Sequence, residues 1–306
     1  MVYDRGEILV NSSSSGKTMS SIDWAIAGSV TAGVGILSNS LSISYFISRE
    51  RSTLPGKQFI LLNTLDLAMC TSTGVTFVLF SVMEFENLEV IKIAAYLEEF
   101  FICFNQFLYE ATGFATCILS VSRCIKLLFP FYNINRKLLI AVTATFFCYL
   151  SIREVSFLYL FHLNQQDSSH GGWVPYNNIV DPSVLGSMIG MITTVAVSNI
   201  LCVALLIKKR FVLGEKRGTA HTNIEATITI IIVSVLFLFL IMTSVITAWV
   251  IHPNSVIFKL GNLAESLNSA LNPLVYFLRK KAMRQHVKKM VAKLRGKRNM
   301  ALPMAM

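Results

Sequence analysis

Seven stretches of this chain, residues 21–47, 58–82, 93–128, 138–161, 183–207, 224–251 and 256–278, are apolar over a length that can cross a hydrocarbon layer of ~30 Å. Lipid offers a backbone no hydrogen-bonding partner, so a segment of that length has to satisfy its own amides as a helix. The expected fold is all-α, a seven-transmembrane helix bundle. The sixth stretch is the cleanest, almost unbroken over 228–240. The third and seventh are weaker because they carry Glu98, Glu99 and Glu110, and Glu265 with several asparagines. Polar residues inside spanning segments usually face the interior of the bundle. The seventh also contains Asn272-Pro273. Proline breaks helical hydrogen bonding at a depth where lipid supplies no replacement, so neighbouring helices have to provide partners.

Composition agrees with a membrane chain. Hydrophobic residues make up 54% of 306 and charged ones 14%, against roughly 25% charged in soluble domains. The net charge of +10 does not point to nucleic acid, because the basic residues sit in short runs between apolar blocks. Cys70, Cys103, Cys117, Cys124, Cys148 and Cys202 form no CxxC pair and have no histidine at metal spacing, which argues against zinc. Residues 1–20 are polar and serine-rich without an apolar core, so no cleavable signal peptide is expected and the first span acts as its own insertion signal.

Lys and Arg decide the expected orientation. The connections after the first, third and fifth stretches, together with the tail, hold twenty-two of them. The other side has four: Arg5, Lys17, Lys92 and Lys259. That asymmetry puts the N-terminus outside and the tail in the cytosol. Asn11-Ser12-Ser13 then becomes an outside N-glycosylation sequon, and the outer connection with Glu84, Glu86 and Glu89 is acidic. Residues 279–294 alternate apolar and basic residues at helical stride, as an amphipathic helix on the anionic inner leaflet would. The chain thus divides into an extracellular segment 1–20, a seven-transmembrane domain 21–278 and a cytosolic basic helix and tail 279–306.

Four short motifs stand in order along the spans. They are Gly35-Ile36-Leu37-Ser38-Asn39, Asn63-Thr64-Leu65-Asp66-Leu67, Ser122-Arg123-Cys124 with Pro130 seven residues after the arginine, and Asn272-Pro273-Leu274-Val275-Tyr276. With seven spans and an outside N-terminus, they resemble the rhodopsin-like (class A) G-protein-coupled receptors over nearly the whole chain. The resemblance implies a plasma-membrane, multi-pass receptor that passes an extracellular signal to a heterotrimeric G protein. It places Asp66 among polar groups at Asn39, Thr112, Asn268, Ser269 and Asn272. An aspartate alone at the bilayer centre costs roughly 2.5–3.5 kcal/mol, so such company is needed. Asn268, Asn272 and Tyr276 lie at i, i+4 and i+8 and share one face. Asp66, Thr112, Asn268 and Ser269 are candidates for an allosteric sodium ion, with a water-filled polar network as the alternative. Arg123, Asn272, Pro273 and Tyr276 are the residues the resemblance assigns to activation and G-protein coupling. A snorkelling arginine at the membrane edge is the plainer reading of Arg123.

The pattern also breaks. Ser122 stands where the family has an acid that pairs with the arginine, which predicts a less firmly locked resting state and raised basal signalling; Glu225 is a possible substitute partner. The sixth span has Leu240-Ile241-Met242-Thr243 in place of Cys-Trp-x-Pro, so it has neither the tryptophan nor the kink. Spans four and five likewise lack their usual tryptophan and proline. Glu98 replaces the cysteine at the top of the third span, and 162–182 holds no cysteine, which removes the family disulfide and leaves the 165–173 connection more mobile. Ser266 replaces the retinal lysine of opsins and Asn105 the aspartate of amine receptors, so neither class is expected.

The candidate ligand pocket is Asn105, Gln106, Tyr109 and Glu110 on the third span with Asn262 and Glu265 on the seventh. Glu110 and Glu265 could hold a cationic ligand, or one of them could pair internally with Arg153. The pocket positions exclude more than they select; it is the divergence from the family pattern that suggests a peptide or a small chemosensory molecule as ligand. A transporter or channel is the competing function, disfavoured by the absence of an inverted repeat with paired broken spans. An intramembrane enzyme is disfavoured because the five histidines lie in loops or at edges without a nucleophile or metal partner. Beyond a possible allosteric sodium ion no cofactor is expected; the expected partners are a heterotrimeric G protein, an extracellular ligand and membrane lipid, with no nucleic acid.

Overall fold

The computed structural model describes residues 21–82, 88–129, 132, 135–166, 174–211, 220–250 and 256–301. Side chains are described within these over 26–79, 97, 100, 101, 103–129, 132, 135, 137–156, 158, 159, 184–208, 227–243, 263, 264 and 266–293. Among the described residues there are eight helices and no strand. They are α1 (Ser21–Arg49), α2 (Leu54–Val82), α3 (Leu88–Leu128), α4 (Arg136–Gln166), α5 (Val174–Phe211), α6 (Ala220–Val250), α7 (Val256–Arg279) and α8 (Lys281–Ala301). The all-α expectation holds. Each of the seven apolar stretches lies within or almost wholly within one helix.

Several helices outrun their apolar stretch. α5 starts nine residues before residue 183 and α4 continues to Gln166, so the 165–173 connection begins inside a helix. Hydropathy marks depth in lipid, whereas helical hydrogen bonding continues into water.

α1 to α7 form a closed ring in chain order, each touching the next and α7 returning to α1. α3 runs through the middle and also touches α5 and α6, and α2 reaches α7. α8 turns away at Lys280 and packs on α7 and α1. The core is apolar and aromatic, with Phe46, Phe59, Leu62, Leu119, Phe237, Ile241 and Tyr276 at 1% exposure or less. Leu240 and Ile241 of α6 are part of this interior.

The surface is what betrays the solvent. Val30 and Leu37 of α1, Ile152 and Val155 of α4, Ile200 of α5 and Phe239 of α6 are all more than 60% exposed. An apolar surface this extensive does not belong in water. Hydroxyls on that face bond their own helix: Ser40 to the Ile36 carbonyl (2.7 Å), Thr64 to Ile60 (2.8 Å), Ser156 to Ile152 (2.7 Å) and Thr243 to Phe239 (2.9 Å). This i−4 bonding is how a hydroxyl avoids being stranded beside lipid. Among the described residues, five helical segments are long and apolar enough to cross a membrane: Ile26–Arg49, Leu54–Leu79, Cys103–Leu128, Lys137–Ser156 and Val184–Lys208. A shorter apolar stretch covers Thr227–Thr243 of α6. This is the architecture of a multi-pass membrane protein.

Candidate functional site

The break in α7 organises the interior. Pro273 has no N–H, so the carbonyl of Ser269, four residues back, loses its helical donor. Asn39 of α1 supplies one: its Nδ2 donates to the Ser269 carbonyl at 3.0 Å and to the Gly35 carbonyl of its own helix at 2.9 Å. Ser38 adds a longer bond, 3.4 Å, to the Ala270 carbonyl. Gly35 makes this approach possible. A Cβ there would lie 2.3 Å from the Cys70 sulfur and 3.3 Å from the Ala270 Cβ.

Asp66 of α2 is fully buried beside this seam. Its Oδ2 accepts from Asn272 Nδ2 at 2.8 Å, and the Ser269 side chain lies beside the same carboxylate. Asn39, Asp66, Ser269 and Asn272 are therefore brought into one connected network joining α1, α2 and α7. Thr112 and Asn268, the other two residues of the proposed sodium set, are 1% and 2% exposed. Asp66 Oδ1, Thr112 Oγ1, Asn268 Oδ1 and Asn272 Oδ1 accept or make no hydrogen bond among the described residues. Buried polar atoms left in this state need a partner, and a set made only of carboxylate, hydroxyl and amide oxygens suits a hard cation or ordered water.

Tyr276 closes the network towards α8. Its ring meets Phe59 at 4.9 Å and Phe46 at 5.7 Å edge-on, and these two phenylalanines stack at 4.9 Å. Lys280 caps the cluster, its Nζ 4.9 Å from the Phe46 ring and 5.4 Å from that of Phe59. The same ammonium pairs with Glu50 at 2.8 and 3.0 Å, and Tyr45 also donates to Glu50 at 3.0 Å. The sequence offered no signal for this cage beyond a lysine in a basic run.

Arg123 is near the same end of α3, 8% exposed, and its Nε meets no acceptor among the described residues. Ser122 does not turn to it. The serine is tied to Gln58 of α2, with contacts of 3.1 and 3.3 Å, and to the Leu119 carbonyl at 3.0 Å. The side chain of Glu225 and the residue Pro130 lie outside the described residues. Among the described residues, α6 is also joined to its neighbours by Ser120 to Ser234 at 2.9 Å and by Arg279 Nε to Thr229 at 3.2 Å.

No family model matches the chain, and no curated protein does.

A second polar centre lies thirteen residues before Arg123, roughly 20 Å back along α3. Glu110 is fully buried. It binds Arg153 of α4 through both oxygens, one at 2.9 Å, and accepts from Ser187 of α5 at 2.7 Å and Gln106 at 2.9 Å. Arg153 also pairs with its neighbour Glu154. Of the two readings of Glu110, the geometry is that of the internal pair. Gln106 is enrolled in the same cluster, whereas Asn105 turns the other way and donates to Thr76 of α2 at 3.1 Å. Tyr109 is buried at 3%. The side chains of Asn262 and Glu265 lie outside the described residues. Ser187 was missed in the sequence because a serine in an apolar span carries no distinguishing mark.

Proposed function

We propose that this chain is a seven-span receptor of the rhodopsin-like type, with its N-terminus outside, α8 on the cytosolic leaflet, and a heterotrimeric G protein as its intracellular partner. One observation carries the reading: the motif residues of α1, α2 and α7 lie in a single buried network, Asn39–Ser269 and Asp66–Asn272. Spacing in the sequence does not require that meeting. Signalling would be a population shift between two arrangements of the bundle, with α6 moving away from Arg123. The contacts Ser120–Ser234 and Arg279–Thr229 would have to break in that step. A sodium ion at Asp66, Thr112, Asn268 and Ser269 would supply positive charge beside the buried carboxylate and favour the resting arrangement. With Glu110 held by Arg153, Glu265 is the stronger candidate for contact with an extracellular ligand.

The deciding experiment is a G-protein dissociation assay in cells, basal and across a ligand screen, with Arg123→Ala as the control and ion flux recorded in the same cells. Coupling that disappears in Arg123→Ala supports the receptor. Flux without coupling would replace it with a transporter or channel.

A further inference from the structure

A furrow runs down the outside of the bundle where α1 meets α7, and continues onto α8. Its main part encloses about 320 Å³ between Val34 and Leu41 on one side and Leu271 and Leu274 on the other. The floor is set by two small residues, Ser38 and Ala270, which the bond between them holds close. On α1 the furrow extends from Val30 to Leu41, roughly 16 Å at the rise of an α-helix. That is about one leaflet, half of a ~30 Å core.

The furrow does not end in more apolar surface. Phe277 and Val287 line both it and a second hollow of about 460 Å³ on α8, whose polar members are Arg284 and Lys288. Arg284 is fixed in place, donating through Nη1 to the carbonyls of Phe277 (3.4 Å) and Leu278 at the end of α7. Lys288 is exposed, and the nearby Lys280 is already paired with Glu50. A leaflet-deep apolar trough ending at two cations matches the two ends of one kind of molecule.

We propose that this groove seats one anionic glycerophospholipid, with an acyl chain between α1 and α7 and the phosphate between Arg284 and Lys288. The proposal rests on the seven-span reading only in that α1 and α7 must both cross the bilayer; it is independent of G-protein coupling. Any lipid can cover the apolar trough, but the cations select the headgroup.

The test is native mass spectrometry of the full chain, extracted in mild detergent and offered dioleoylphosphatidylglycerol against dioleoylphosphatidylcholine. One phosphatidylglycerol should be retained, and its preference should fall about thirtyfold in Arg284→Gln with Lys288→Gln, the effect of two cations at about 1 kcal/mol each. Lys288→Gln alone, which keeps the α7–α8 junction intact, should give part of that loss. Val34→Trp, at a position 56% exposed, should block the trough and lower retention of both lipids. Lys281→Gln with Lys289→Gln removes the same charge from exposed positions outside the groove and should change nothing. Equal loss in the two charge pairs would reduce the effect to diffuse attraction and overturn the site. Unchanged retention in Val34→Trp would do the same for the acyl seat. Thiol labelling of Asn254→Cys and Gln285→Cys from the two sides of proteoliposomes reports separately whether α7 crosses. A failed groove in a crossing α7 is thereby distinguished from a failed seven-span reading.

Discussion

Replacing Asn39 by alanine tests the central packing idea. The side chain makes two bonds through Nδ2, 2.9 Å to the Gly35 carbonyl and 3.0 Å to that of Ser269. The first lies within α1, where the helix already supplies Gly35 with a donor, so its loss costs little. The second serves the carbonyl that Pro273 leaves without an N–H. Stranding a buried acceptor costs about 1–3 kcal/mol in general. Hydrogen bonds between membrane helices average about 0.6 kcal/mol and reach about 1.7. An open carbonyl with no lipid substitute belongs at the upper end, so Asn39→Ala should destabilise by about 1.5 kcal/mol. Pro273→Ala restores the N–H and with it the helical bond to Ser269. In that background Asn39→Ala should cost about 0.5 kcal/mol, leaving a coupling of about 1 kcal/mol. Unfolding by SDS titration in mixed micelles, followed by far-ultraviolet circular dichroism, measures all four corners of the cycle. Ser40→Ala is the control, because that hydroxyl bonds only its own helix at 2.7 Å. An Asn39→Ala cost that is the same with and without the proline would refute the reasoning.

Four further outcomes are expected. Gly56→Ala should lower thermal stability by about 1–3 kcal/mol, because its Cβ would lie 2.0 Å from the Glu50 carbonyl; Gly33→Ala, with nothing within 4 Å, should be silent in the same thermal scan. Arg153→Ala should cost about 3–5 kcal/mol by leaving Glu110 buried without its cation, and Arg153→Met with Glu110→Gln should recover much of it; equal unfolding free energies for the two would count against the pair. Under the receptor reading, Ser234→Ala should raise basal G-protein coupling about fivefold, the effect of one hydrogen bond worth about 1 kcal/mol, and an unchanged basal signal would remove that contact from the resting lock. Under the same receptor reading, Ser122→Asp should lower basal GTP exchange by giving Arg123 a carboxylate and freeing Gln58; no change would sink the idea that the missing acid loosens the resting state.

The amino-acid sequence by itself determined the helices and the need for partners. Lipid-length apolar runs have one local solution, and an Asn-Pro inside such a run demands donors and acceptors from elsewhere. Asp66, Asn39 and Asn272 were legible as interior residues because a carboxylate or carboxamide in a span, unlike a hydroxyl bonded to its own helix, belongs inside the bundle. Which group answers which demand was decided only by the tertiary structure. Glu110 could have faced a ligand or Arg153, and forty-three residues separate it from the guanidinium it binds. Ser122 was read as the loss of an ion pair, yet it gained Gln58, sixty-four residues earlier. The aromatic cage over Lys280 and the furrow between α1 and α7 had no sequence signature at all. Hydropathy is a property of neighbours along the chain, whereas a buried partner is set by how two helices cross. Residues as small as Gly35, Ser38 and Ala270 decide how near those helices come.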